Sequence, residues 1–287
     1  MGGGLTTAMR IDAGVDWSAP WLDAIREIGM EIAAADDWRL ALNAHASRLG
    51  LSTRLGHPLR FIPQEELPVG VAYEEHIGLT GQVPTRENLH DFFNAMVWLS
   101  FPLTKVGLNA LQAAQIAHLG IGHSRGSARD AATLFDENAG LLAVEESVEG
   151  HALVEYLRTH QWNALFVQER EALWKKANVF LFGHALMDKL VRPYKAITAH
   201  TLVCWVDPKF FTLSNPEQRA VLDVQLSEKL ALQLMQFQNA SDLSSSSSLQ
   251  PSSFTPLPVL GVPGWWSHQD AAFYADVAVF RPMRQPR

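Results

Sequence analysis

A histidine, a carboxylate and an amide crowd onto one short apolar stretch, Glu87-Asn88-Leu89-His90-Asp91-Phe92-Phe93-Asn94-Ala95-Met96-Val97-Trp98. Imidazole and carboxylate groups in one place can move protons or hold a divalent ion. At about 100° per residue, Leu89, Phe92, Phe93, Met96, Val97 and Leu99 form one apolar stripe of a helix. His90, Asp91, Asn94 and Trp98 fall on the other side, and Phe101 continues their row. An ordinary solvent face would carry Lys, Glu or Gln, so a polar and aromatic face points to a lined pocket or a second buried contact. A purely structural account stands beside this one. Asn88 caps the helix, Asp91 at the third position faces its exposed N–H groups, and His90 is a neutral core histidine.

Other groups further along the chain could join such a site. His184 and Asp188 are four apart and share a helical face, a spacing that serves a metal pair or one imidazole–carboxylate hydrogen bond. Asp136-Glu137 could hold a hard cation such as Mg²⁺, although Asp136-Glu137-Asn138-Ala139-Gly140 also has the residue types of a tight hairpin turn. Arg129-Asp130 reads as an ion pair or as a clamp facing the central helix. Lys105, Lys189, Lys195 and His200 supply positive charge for an anionic substrate, and Trp98 an aromatic wall.

The elements that must position these groups are mostly helices. Ser18 is a candidate cap for a helix carrying Leu22, Ile25 and Ile28, and Trp38 to Leu49 forms a second, ended by Gly50. Phe61-Ile62-Pro63 and Val71 to Leu79 read as extended. After the central helix, Phe101-Pro102 breaks the chain and opens a helix to Leu119. Gly120 to Ser127, around His123 and Arg125, reads as a loop without phosphate-loop spacing. Two β-like runs are expected either side of the Asp136–Gly140 turn. Helices follow over Val148 to Arg158 and Trp162 to Trp174, then a short buried run Val179–Phe182, a turn at Gly183 and a helix from His184. The run Leu202 to Val206 is apolar, and Pro216 to Phe237 is helical.

The expected organisation is a flexible leader over residues 1–15 and a main domain over 16–237. A serine-rich loop over 238–253 then leads to a Pro/Gly/Trp-rich arm over 254–287 packed on the main domain. The fold class is α+β, a mostly helical single domain with short strands.

Composition removes several functions. The chain has 287 residues, 47% hydrophobic and 18% charged, which suits a globular body with a sizeable core. A net charge of −7 and a pI near 5.9 make a nucleic-acid partner unexpected. Cys204 is the sole cysteine and sits in an apolar run, so a buried thiol acting as a small hydrophobe is expected. Nothing at the N-terminus has the apolar core of a signal peptide, and the Gly2/Thr6 myristoylation spacing is too short to carry weight. No run of about 18 uncharged apolar residues is present, so a membrane span is not expected and the cytoplasm is the default.

Several motifs together resemble a bacterial family known only as domain of unknown function 3025. They are Glu87 to Ala95, Arg129-Asp130 with Leu134-Phe135-Asp136-Glu137-Asn138, Gly183-His184-Ala185-Leu186, Lys195 to His200, and Leu257 to Trp265. The resemblance spans Trp17 to Pro282 and implies one recurring domain; it supplies no activity, cofactor or substrate. One departure is Ala139, where the family pattern has a glycine directly after Asn138, which lengthens the expected turn.

Two functions from different classes follow. In the first, the protein is a hydrolase acting on a small anionic substrate such as a phosphoester, by metal-assisted or His/Asp acid–base chemistry. Its candidate catalytic residues are His90, Asp91, Asn94, Arg129, Asp130 and His184, with His90, Asp91 and His184 as ligands of a divalent ion. In the second, the same polar cluster binds a small ligand without turnover, with Trp98, Phe101, Trp265 and Trp266 enclosing it, or merely locks the core.

Overall fold

A computed structural model describes residues 10–119, 127–239 and 250–283. The expected loop around His123 and Arg125, residues 1–9 of the leader and the serine run lie outside the described residues, as does the side chain of Arg129. The described chain is a mostly helical α+β domain with short strands in two small sheets.

The helices and strands run, in order, α1 (Arg26–Ala33), α2 (Trp38–Arg48), β1 (Arg60–Pro63), α3 (Tyr73–Thr80), β2 (Gln82–Thr85), α4 (Leu89–Ser100), α5 (Pro102–Leu119), α6 (Ser127–Asn138), β3 (Ala139–Glu145), α7 (Val148–Arg158), α8 (Arg170–Lys176), β4 (Ala177–Leu181), α9 (His184–Lys189), β5 (Thr198–Val206), α10 (Asn215–Asn239), β6 (Thr255–Pro258) and α11 (Ala271–Tyr274). The larger sheet has the order β4-β3-β5-β6, with β3 and β5 parallel and both outer pairs antiparallel. Its central strand β3 is buried from Ala139 to Val144 without alternation, as a strand covered on both faces should be. Cys204 sits on β5 opposite Ala143, fully buried, and burial pushes its thiol up to about 11. Thr255–Pro258 extends this sheet as β6.

Four expectations give way to the structure. Val71 to Leu79 is not extended: Tyr73 to Thr80 is α3, in which Tyr73 and Ile77, four apart, turn inward while Val71 and Leu79 stay exposed. Glu74 and Glu75 suit its first turn, and Gly81 (φ 75°) ends it in the left-handed conformation that glycine adopts freely. There is no hairpin around Asp136-Glu137 either. Ala131, Ala132, Phe135 and Asp136 are buried together, a helical face that strand alternation would have split, and α6 passes into β3 with no intervening loop. The helix over Trp162 to Trp174 is interrupted by a π-turn (Ala164–Gln168), closed by the bond from Glu169 N–H to the Ala164 carbonyl at 2.8 Å. Near the N-terminus a 3₁₀ turn at Pro20–Leu22, preceded by Ala19 rather than capped by Ser18, leads to α1.

α4 is the helix most enclosed by the rest. Asn88 caps it, accepting from Asp91 N–H at 2.8 Å, and every residue from Asp91 to Ser100 is buried. Its apolar stripe packs in the core, and α9 lies against it. The position of α9 is set by Gly183. Both Phe182 and Gly183 N–H groups donate to the Ala139 carbonyl, at 3.0 and 2.9 Å, latching the β4–α9 turn onto the α6–β3 junction. At Gly183 (φ −61°) conformational freedom is not needed, but space is. A Cβ there would stand 2.5 Å from Ala139 N and 2.6 Å from both Asn138 N and Asn138 Cα. Those are backbone atoms and cannot swing aside. Gly183→Ala is therefore expected to lose roughly 1–3 kcal/mol of stability through overpacking. Urea unfolding measures this, and an unchanged midpoint would show that the junction yields.

Candidate functional site

The latch brings three chain segments together. His184 is the first residue of α9, Glu137 the penultimate residue of α6, and His90 lies in the first turn of α4. His90 Nε2 and His184 Nε2 are 3.2 Å apart, with the rings edge to face at a centroid distance of 4.5 Å. Glu137 Oε2 is 3.7 Å from His184 Nε2, and the ligand atoms of all three residues lie within 4.8 Å of one another. Metal–nitrogen bonds of about 2.0–2.1 Å put neighbouring ligands roughly 3.0–3.4 Å apart. The two imidazoles already stand at that separation, while the carboxylate is 3.7 Å from His184 Nε2 and within 4.8 Å of His90. His184 is buried, while the Glu137 side chain is 35% exposed and opens the cluster to solvent.

Beneath the cluster lies a buried ion pair. Lys105 Nζ, on α5, donates to Asp136 Oδ1 at 2.6 Å and to Asn94 Oδ1 at 2.9 Å, and sits 5.2 Å from the centre of the Trp98 ring. Asn94 Nδ2 in turn donates to the Tyr73 hydroxyl at 3.2 Å. Asp136 Oδ1 also approaches His184 Nδ1, at 4.0 Å. The network thus joins α3, α4, α5 and α6 directly below the two histidines.

The charges follow from this packing. Burial drives the His184 imidazole down to about 4, against the nearby Asp136 carboxylate, so the ring is neutral with a lone pair to give. Burial opposes the charge of Asp136, yet Lys105 prevails and holds the carboxyl below its usual range. Burial raises Glu137, with Asp136 adding to the effect and His90 opposing it. Burial, then the neighbouring carboxylates led by Glu74, lift the Tyr73 hydroxyl well above its ordinary value, so it remains protonated.

The remaining candidates fall into separate groups. Asp91 turns back toward the loop before α4, accepting from Arg86 N–H at 2.6 Å. Asp130 is exposed on α6. Lys189 donates to Asn138 Oδ1 at 3.2 Å and lowers the pKa of His200, after burial; it acts on Glu137 as well. Lys195 is engaged elsewhere, at 2.7 Å from Asp276 Oδ2 and 4.5 Å from the Phe273 ring of the arm. Trp98 is 1% exposed. Among the described residues no side-chain hydrogen bond or ion pair joins His184 to Asp188; the carboxylates beside His184 are Asp136 and Glu137.

Tyr73 was not singled out from the sequence, and Glu137 was weighed only with Asp136 as a cation pair, apart from the two histidines. A helical reading of Ala131-Ala132-Phe135 would have placed Asp136 and Glu137 at a helix end rather than in a turn. Their meeting with His90 and His184 is tertiary and leaves no local mark.

The chain belongs to the family described as protein of unknown function (DUF3025), whose model matches residues 59–284. All of the residues of the cluster and of the network below it lie inside that span. No curated protein and no solved structure matches the chain. Among the described residues, no helix is long and apolar enough to cross a membrane.

The depressed His184 pKa has a consequence for stability. The folded chain refuses a proton that the unfolded chain accepts below its ordinary value of 6.5, so this group's contribution is complete above that pH and is lost as pH falls toward about 4. The loss amounts to at most roughly 3 kcal/mol. Glu137, raised, works in the opposite direction, so the comparison is between chains. With chelator present, unfolding free energy should fall less steeply over this interval in His184→Gln than in the parent; equal slopes would place the proton uptake elsewhere.

Proposed function

We propose that the protein is a metal-dependent hydrolase of small anionic substrates, with His90 and His184 binding a divalent ion through Nε2 and Glu137 through a carboxylate oxygen. The observation that carries this reading is the approach of three ligand atoms of the right kind, two of them 3.2 Å apart, at a solvent-reached edge of the core. Two imidazoles and one carboxylate suit zinc, iron or manganese and leave a coordination position for water. A divalent ion held there would supply Lewis acidity and lower the pKa of a bound water. Asp91, assigned as a ligand from the sequence, is replaced in this reading by Glu137.

The other residues take supporting parts. Lys189, with His200 beside it, lies where its charge acts on Glu137, and so would favour an anionic group such as a phosphoester. Asn94, Lys105 and Trp98 belong to the buried support, and Lys195 to the docking of the arm. Arg129 and Asp130 have no part in the reading.

Elemental analysis of the purified chain, then titration with Zn²⁺ and Mn²⁺ after chelation, tests the proposal. A stoichiometric ion is expected in the parent and in Asp91→Asn. It should be lost from folded His90→Ala, His184→Ala and Glu137→Ala. Loss of a ligand should weaken binding by more than the roughly 10–100-fold typical of a lost supporting contact. Phosphoester turnover should follow the metal and disappear with chelator. An absence of metal, with all three variants unfolding, would instead make the histidine pair a core contact held by a shared proton.

A further inference from the structure

The buried Nδ1 of His184 makes no hydrogen bond of normal geometry, although the Asp136 backbone carbonyl is near enough to favour a proton on the ring, in a core where buried polar atoms are normally paired. The nearest carboxylate oxygen is Asp136 Oδ1 at 4.0 Å, and that same oxygen accepts from Lys105 Nζ at 2.6 Å. Lys105 is fixed from two further sides, by Asn94 Oδ1 and by the Trp98 ring, so the carboxylate has a rigid backing. Only one edge of the His184 ring can face this carboxylate. The other, Nε2, is the edge that meets His90 and Glu137.

We propose that Asp136, held in place by Lys105, is a positioning residue that keeps the proton of His184 on Nδ1 and so turns the Nε2 lone pair toward His90 and Glu137. A carboxylate accepts but does not donate, so it favours N–H on the ring atom facing it. In the chain without metal, His90 then supplies the proton of the Nε2–Nε2 contact. With metal bound, the same arrangement presents His184 Nε2 as a ligand whose orientation and basicity are set from behind. The use made of the tautomer rests on the metal reading above; the tautomer itself does not.

The test is read first on chelated protein labelled with ¹⁵N-histidine, at neutral pH, by long-range ¹H–¹⁵N correlation. In the parent chain, His184 Nδ1 should give a protonated-type nitrogen shift and Nε2 an unprotonated one. Asp136→Asn places an amide that can donate opposite the ring, so the pattern should invert or become mixed. Tyr73→Phe cuts the far end of the same network without touching the carboxylate and should leave the parent pattern intact. If Asp136→Asn does not fold with Lys105 left unpaired, the double variant Lys105→Met/Asp136→Asn removes both charges and should show the same loss.

An unchanged tautomer in the Asp136 variant would assign the role to the Asp136 backbone carbonyl, which also favours a proton on His184, and would overturn the proposal. An equal change in Tyr73→Phe would overturn it too, by showing a packing effect. Zn²⁺ titration of the same samples separates this idea from the metal reading. A fall of roughly 10–100-fold in affinity for Asp136→Asn accompanies the tautomer change if both hold. A parent chain with the expected tautomer and no zinc affinity would sustain the positioning role and sink the metal site. Tight zinc binding in the parent and in Asp136→Asn, with the tautomer unchanged as well, would do the reverse.

Discussion

The candidate site exists because two backbones touch. The end of α6, the start of β3 and the turn into α9 meet where a single missing methyl group, at Gly183, lets the chain lie against Asn138 and Ala139. The Ala139 carbonyl then takes two N–H groups from the turn, so the close approach is also hydrogen-bonded. Everything chemical depends on that meeting. It sets His184 beside Asp136 and Glu137, and because α9 also lies along α4, it sets His184 against His90. A contact between main-chain atoms is stiff in a way that a contact between side chains is not, so it fixes the spacing of the side chains it brings together.

The support beneath the histidines is costly in itself. Removing Lys105 and Asp136 from water carries a desolvation penalty of several kcal/mol per ion, which their attraction offsets only with good geometry and further hydrogen bonds. Both conditions are met: a short contact to Asp136, a second to Asn94 and an aromatic face from Trp98 surround the ammonium. An apolar pair of similar volume would fill the same space without such demands. A charged pair here, beside a neutral imidazole, is therefore not explained by how tightly the chain folds.

Much of α4 was legible. The helical wheel placed His90, Asn94 and Trp98 on one side, and in the structure that side meets His184 and Lys105, which in turn holds Asp136. The cap at Asn88, the break at Phe101-Pro102, the turn at Gly183 and the helix after it could be read because each is local chemistry. The pairing of Asp91 was not legible for a related reason, since the wheel gives direction to within a residue's width and cannot say that Arg86 N–H will claim the carboxylate. The segment before β3 failed on a competition between two signals. Asp-Glu-Asn-Ala-Gly has the composition of a turn, while Ala131, Ala132 and Phe135 ask for a helix, and burial against β5 and α9 decided in favour of the helix. That outcome is what carries Glu137 to the side of His90 and His184.

Cys204 lies at the centre of the same sheet, on the strand beside β3, with no surface exposed. A thiol so placed is silent while the sheet is closed, and burial further discourages the reactive thiolate. With no second cysteine in the chain, any disulfide must join two molecules. Native copies have nothing to join with, whereas chains that open or fail to close do. Oxidising surroundings would therefore act as a ratchet on misfolded material alone, linking it in pairs and leaving the folded population untouched.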